Sequence, residues 1–214
     1  MGEDLKKFAN YIARNLPKTV DDSSIHYGEL TLYTHPDRLE RLAQFLRDND
    51  RCLFKVLLDI CGVDYPHKQK RFEVVYHFLS LENNHRIRIV VPVDEGEAVP
   101  TLVNVFRSAG WWEREAWDMY GIPFEGHPDL RRILTDYDFH GHPLRKDFPL
   151  TGYTEVAYDE NERRVVKQPV SLQQDFRDFD FESPWMGVKE LLPGDEKALN
   201  QEPETEKEDG KVQD

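Results

Sequence analysis

Several things are scarce or missing in this 214-residue chain, and each absence narrows its function. No apolar run approaches the ~18 residues of a membrane-spanning helix. Basic residues do not predominate: the formal charge is −13 and the pI about 5.1, so there is no cationic face for a phosphate backbone. Cysteine is nearly absent. Cys52 and Cys61 cannot form a disulfide framework, nor supply the four thiolates of a zinc or iron–sulfur site. G-x-S-x-G, G-x-G-x-x-G and a phosphate-cradling glycine loop are all missing. The first ten residues, MGEDLKKFAN, have no apolar signal core, carry Glu3 and Asp4, and lack the Ser or Thr of a myristoylation pattern. The expectation is a protein made where it works, or one whose leader has been removed.

What is present divides the chain unevenly. Hydrophobic residues make up 39% and charged residues 32%, so the core is expected in only part of the length. Residues 1–120 have the patterning of a packed α/β domain. Leu5, Phe8, Ala9 and Ile12 form a helical stripe. Ile25 to Tyr33 reads as one strand. Thr34 is the expected cap of a helix with Pro36 in its first turn and Leu39, Leu42, Ala43 and Leu46 on its buried face. Leu53 to Ile60 reads as a central strand ended by a turn at Gly62. Arg71 to Leu81 and His85 to Val93 alternate with period two around Glu82-Asn83-Asn84, the pattern of a hairpin. A helix is expected from Pro100, with Val99, Leu102, Val103 and Phe106 as its stripe. Another is expected over Trp111 to Tyr120, stopping at Gly121. The fold class is therefore α+β and sandwich-like: a mostly antiparallel sheet with helices on one face.

Residues 121–185 break every period. They hold six prolines and ten aromatics but only eleven Leu, Ile and Val, with 13 acids against 8 bases. Proline at that density forbids long helices and central strands, whereas flexible linkers are poor in aromatics. The stretch reads as an ordered, extended C-terminal arm without a core of its own. To offset its ordering entropy it must lie on the first domain, a partner, or both. Residues 186–214 read as an acidic, solvated tail.

Polar residues are densest in the arm: His127, Asp129, Arg131, Arg132, Asp136, Asp138, His140, His142, Arg145, Lys146 and Asp147. His140-x-His142 with Asp147 has the residue types of a metal site. Gly141 and Pro143 give no rigid strand to aim both imidazoles, and four nearby cations would repel a metal. Hydrogen bonds and ion pairs that fix an extended backbone are the favoured reading. Elsewhere, Cys61 in the apolar LLDIC run reads as a buried structural thiol, with Asp59 and Asp64 as solvated strand-end carboxylates. Trp111, Trp112 and Trp117 could stack a quinone or base, but core and interface packing is favoured. Glu113 and Glu115 around Arg114 read as a charged helix face, with buried ion pairing the alternative.

Five blocks then stand together: LLDICGVDYP (57–66), RFEVVYHFLS (71–80), AGWWEREAWDMYGIPF (109–124), HPDLRRILTDYDFHGHPLRKDFPLTGYTEVAYD (127–159) and FDFESPW (179–185). They resemble the 30-kDa subunit family of respiratory complex I, the proton-pumping NADH:ubiquinone oxidoreductase. The likeness is strong over 57–185, weak over 1–56 and absent from the last 25 or so residues. One departure is Asp138, where the family usually has Gly; Asp tolerates the left-handed backbone that a Gly would supply.

The resemblance implies a small α/β domain with a long arm. It implies a non-catalytic structural subunit that holds no flavin, iron–sulfur cluster or quinone of its own, in a complex that as a whole contains FMN, iron–sulfur clusters and ubiquinone. It places the arm on the large quinone-site subunit, and the chain on the matrix side of the mitochondrial inner membrane. On that reading His127, Asp129, Arg131, Arg132, His142, Arg145, Lys146, Asp147 and Trp185 are the expected partner-interface residues. The competing expectations are a stand-alone His/Asp metal enzyme and a transient assembly protein.

Overall fold

The computed structural model describes residues 2–172; FDFESPW, Trp185 and the acidic tail lie outside them. Met1–Ser171 forms one compact unit. It opens with α1 (Gly2–Asn15), whose stripe buries Ala9 and Ile12. Next come β1 (Asp22–His26) and β2 (Glu29–Tyr33). The single strand expected over 25–33 is thus two. Tyr27 and Gly28 take φ of 51° and 79°, the paired left-handed conformations of a two-residue hairpin turn. Helix α2 (Pro36–Asp48) buries Leu39, Leu42, Ala43 and Leu46 completely. Its N-cap is His35, not Thr34, whose buried hydroxyl donates to the Thr19 carbonyl at 2.6 Å.

Strands β3 (Val56–Asp64), β4 (Phe72–Ser80) and β5 (His85–Val93) complete a five-stranded sheet of order β1-β2-β5-β4-β3. Only the β2–β5 pair is parallel. Registered pairs put Phe72, Val74, Tyr76 and Phe78 beside Val93, Val91, Ile89 and Ile87 on one face. These residues share a core with Leu30, Leu32 and Ile60 and with apolar side chains of the helices. The opposite face carries Asp59, His77 and Arg88 in a row and is half-open to solvent, the division expected of an antiparallel sheet covered on one side.

Gly62 does not end β3; it lies inside it. A Cβ there would sit 2.5 Å from the Tyr120 ring, so glycine is required by close packing and not by a turn. The helix expected from Pro100 does not form. Val99–Pro100 is a short strand, β6, parallel to β7 (Phe124–Glu125), and turns follow to Ser108. The Val99 and Thr101 N–H groups are donated to the Pro123 and Glu125 carbonyls, which holds residues 99–101 extended alongside β7. Val99, Leu102 and Phe106 are buried all the same. Helix α3 (Ala109–Tyr120) ends at Gly121 with φ 76°. The last pair, β8 (Thr154–Asp159) and β9 (Arg164–Pro169), is a separate two-stranded hairpin. No helix among the described residues is long and apolar enough to cross a membrane.

Candidate functional site

Helix α3 organises everything that follows it. Its sequence WWEREAWDMY places charges at 113, 114, 115 and 118 with no clean polar stripe. The expectation of a charged face at Glu113, Arg114 and Glu115 fails for Glu113 and Arg114, and Asp118 is buried as well. Glu113 and Asp118 are 0% exposed and Arg114 is 9% exposed. Each is buried because it satisfies the backbone of an irregular segment that cannot satisfy itself.

Glu113 works on the segment before α3. Its carboxylate accepts the Thr101 hydroxyl at 2.5 Å and the Leu102 N–H at 2.7 Å. Burial pushes its pKa up to about 7 against the pull of those two donors. His127 Nε2 lies 3.9 Å from the carboxylate. His127 Nδ1 accepts the Asp129 N–H, and Nε2 faces the Gly110 carbonyl at 3.0 Å.

Arg114 and Asp118, one turn apart, work on the segment after α3. Arg114 donates to the carbonyls of Arg131 and Arg132. Asp118 accepts the N–H groups of Ile133, Leu134 and Thr135, the Thr135 hydroxyl, and Arg132 at 2.7 Å. Burial opposes charge on Asp118. The Thr135 hydroxyl and the three N–H groups outweigh it and hold the carboxyl well below the usual carboxylate range. Arg132 continues to the Gly141 carbonyl and lies over the Trp117 and Phe139 rings.

The C-terminus of α3 is closed by the GHPLR block. A helix leaves its last four carbonyls unpaired. Here Trp117 O accepts Gly121 N–H, Asp118 O accepts His142 Nδ1–H, Met119 O accepts Leu144 N–H, and Tyr120 O accepts Arg145 Nε–H. His142, lowered in pKa chiefly by burial, is therefore a donor to the helix end. Arg145 adds positive charge at the negative pole of the helix, pairs with Glu95 and covers the Phe72 ring. A Cβ on Gly121 would meet His142 at 2.6 Å and Arg145 at 2.7 Å.

The arm's next tie is to the sheet. Asp64, expected in solvent, is fully buried: Arg71 grips it with Nε and Nη2 at 2.8 and 2.9 Å, and the Lys146 N–H is donated to it at 2.8 Å. The Arg71 guanidinium holds this carboxyl below its ordinary range. Arg71 also meets Asp147 at 3.0 Å.

Of the nine expected interface residues, His127, Arg132, His142 and Arg145 thus point inward and shape the arm. Asp129 and Arg131 pair with each other at the surface, each 56% exposed. Lys146 acts through its backbone, Asp147 remains 62% exposed, and Trp185 lies outside the described residues. Glu113, Arg114, Asp118, Thr135 and Glu95 were missed. The available signal was an amphipathic-length helix with acids and a base at positions that periodicity assigns to the covered side. His140 and His142 do not converge: His142 is spent on α3. Among the described residues no group of three or more His, Cys, Asp or Glu is placed to hold a metal. Asp138 has no left-handed backbone; positive φ falls at Gly141 instead, and Asp138 pairs with Lys167 at 2.6 Å. Of the tryptophans, Trp112 and Trp117 pack against the core, whereas Trp111 is 65% exposed beneath Arg114.

Comparison with known proteins agrees with this architecture. The model of the family described as respiratory-chain NADH dehydrogenase, 30 Kd subunit, matches residues 32–154. The chain is 58% identical over 198 residues to an NADH-quinone oxidoreductase subunit of Maricaulis maris, covering 92% of this chain and 99% of that one. It is 56% identical over 203 residues to the equivalent NADH-quinone oxidoreductase subunit of Xanthobacter autotrophicus, covering 95% and 97%. Among solved structures it shares its fold with a chain of the membrane-bound sulfane sulfur reductase, an archaeal respiratory membrane complex. The TM-score there is 0.58 at 24% identity, over 68% of this chain and 85% of that one. Helix α3 and the segment it holds fall inside the matched residues 32–154, and the chain belongs to the respiratory-chain NADH dehydrogenase 30 Kd subunit family.

Proposed function

We propose that this chain is a non-catalytic structural subunit of a quinone-reducing NADH dehydrogenase, and that residues 121–185 seat it on the large quinone-site subunit of the peripheral arm. One observation carries the reading. The arm's polar groups are consumed in fixing its own shape against α3 and Asp64, while Leu134, Tyr137, Leu144, Leu150 and Tyr153 stand 51–84% exposed. A rigid scaffold with apolar side chains turned outward is a docking element, not a reaction centre. The exposed members of the polar set, Asp129, Arg131 and Asp147, form part of the proposed rim.

The redox groups of such an enzyme are assigned to other subunits. Burial raises the Cys52 thiol to about 11 and the Cys61 thiol too, and two thiols do not make the four ligands of a cluster. The relatives support a respiratory-enzyme subunit and are bacterial. The finer placement, the matrix side of the mitochondrial inner membrane, rests on the resemblance of residues 60–66, 109–115 and 179–185.

The test is native electrophoresis of membranes solubilised in mild detergent. The chain is expected to migrate with NADH–quinone reductase activity in a very large particle; a free ~25-kDa species would overturn the reading. Arg145→Ala removes the tie to Tyr120 O and Glu95 and is expected to reduce assembled complex several-fold, with turnover per assembled complex nearly unchanged. Normal assembly with lost turnover would point to catalysis instead.

A further inference from the structure

The two buried carboxylates of α3 are served very differently. Asp118 takes three backbone N–H groups, a hydroxyl and the Arg132 guanidinium. Glu113 takes one hydroxyl and one N–H, from Thr101 and Leu102, and among the described residues no lysine or arginine pairs with it. The groups around it do not supply the missing charge. On α3 itself, Arg114 is committed to the Arg131 and Arg132 carbonyls, Asp118 to Arg132, and Glu115 lines a groove beside Cys61. From β4 comes Tyr76, fully buried, whose hydroxyl is the one buried side-chain polar atom among the described residues without a hydrogen-bond partner. From the stretch after β7, His127 Nε2 is 3.9 Å from the carboxylate but 3.0 Å from the Gly110 carbonyl. Glu125 of β7 is exposed, and Arg47 of α2 reaches the Val105 carbonyl at 2.8 Å.

A carboxyl group in that setting holds a proton more readily than a charge. The neutral acid fits the site. Oε1 still accepts the Leu102 N–H, and a proton on Oε2 is donated to Thr101 Oγ1. That oxygen has a second lone pair beside the one taken by the Val103 N–H. We propose that Glu113 is a proton-operated latch: protonated, it closes residues 101–106 on α3, and ionised, it lets that segment lift so that water reaches the carboxylate. The latch concerns the junction before α3 and does not rest on the docking of the arm. The segment is suited to lifting. It is built of turns, with the Val105 and Phe106 N–H groups donated to the Leu102 carbonyl, and it belongs to no strand ladder beyond Pro100. The magnitude follows from the two states. An opened carboxyl titrates near its ordinary 4.5 and the closed one at about 7. Opening therefore rises about tenfold per pH unit between those values, roughly 300-fold in all, and is level above them.

The test is hydrogen exchange of the full-length chain in dilute urea, corrected for intrinsic rates. The amides of Leu102, Val103 and Val105 are expected to lose about 100-fold of protection between about pH 5 and pH 7. They should exchange faster than the amides of β4 and β5 and show no dependence on dilute urea, the mark of a local opening. Glu113→Gln keeps both contacts without the titration and is expected to hold the acid-side protection throughout. Infrared difference spectra should show a carboxylic-acid carbonyl band in wild type that is lost as pH rises through about 7 and is missing from Glu113→Gln. The wild-type readings decide the matter even where the variant is unstable. A wild-type loss of protection under about threefold, an equal loss in Glu113→Gln, or no such band overturns the inference. Exchange of 102–105 only at the rate of β4 and β5 also overturns it, because global unfolding alone would then expose the carboxyl.

Discussion

Asp118→Asn isolates the anchor of the arm with a change of almost no volume. The amide oxygen can still accept the N–H groups of Ile133, Leu134 and Thr135 that Oδ2 accepts now. The amide nitrogen must then face Arg132 Nη1, which is 2.7 Å from Oδ1. A charge-assisted bond becomes a donor-to-donor contact, in a pair whose side chains are 0% and 12% exposed. Breaking one partner of a buried pair costs about 3–5 kcal/mol, a large share of a domain stability of about 5–15 kcal/mol. The pH dependence gives an independent check. Asp118 is depressed in the folded chain relative to an unfolded value near ~3.9. Its contribution is therefore complete above about pH 5 and lost as pH falls below ~4 toward the lower folded value. Urea unfolding of wild type and variant should show a gap that is constant from pH 5 to 8 and narrows in acid. Hydrogen exchange at residues 133–135 should accelerate in the variant. A gap below about 1 kcal/mol at pH 7, or one that does not narrow in acid, refutes the anchoring role.

Three further perturbations probe other parts of the fold. Glu113, raised to about 7, favours the folded state below the unfolded value near 4.5 and loses that contribution as pH rises through 7. Glu113→Gln should flatten the stability profile between those limits and lie about 3 kcal/mol above wild type at pH 8, with an unchanged profile arguing against it. Gly62→Ala drives a methyl to 2.5 Å from the Tyr120 ring and should cost about 1–3 kcal/mol in urea unfolding; a neutral result would mean that α3 yields easily. Replacing both Cys52 and Cys61 with Ala should leave the iron–sulfur signals of the assembled complex intact, and loss of a cluster signal would assign a ligand to this chain.

Periodicity was legible wherever one element faces one environment. The stripes of α1 and α2, the alternation of β4 and β5 and the stop of α3 at Gly121 follow from nearest-neighbour spacing, because burial on a single face imposes a period of 3.6 or 2. The family was equally plain, through blocks too long to arise by chance, but residues 121–185 are not aperiodic throughout: Thr154–Asp159 and Arg164–Pro169 pair as a hairpin with alternating exposure on β8. Other features were set by partners far along the chain. Gly62 reads as a turn until Tyr120 lies against it, 58 residues away in sequence. The stretch around Pro100 reads as a helix start until Phe124–Glu125 pairs with Val99–Pro100 as a strand. Asp64 reads as solvated until Lys146, 82 residues on, donates to it. Local sequence determined which segments could be helix or strand, because propensity and amphipathic period act over a few residues. Tertiary structure alone decided which charges were buried, because a carboxylate or guanidinium enters the interior only where a distant, irregular backbone presents the donors or acceptors it can satisfy.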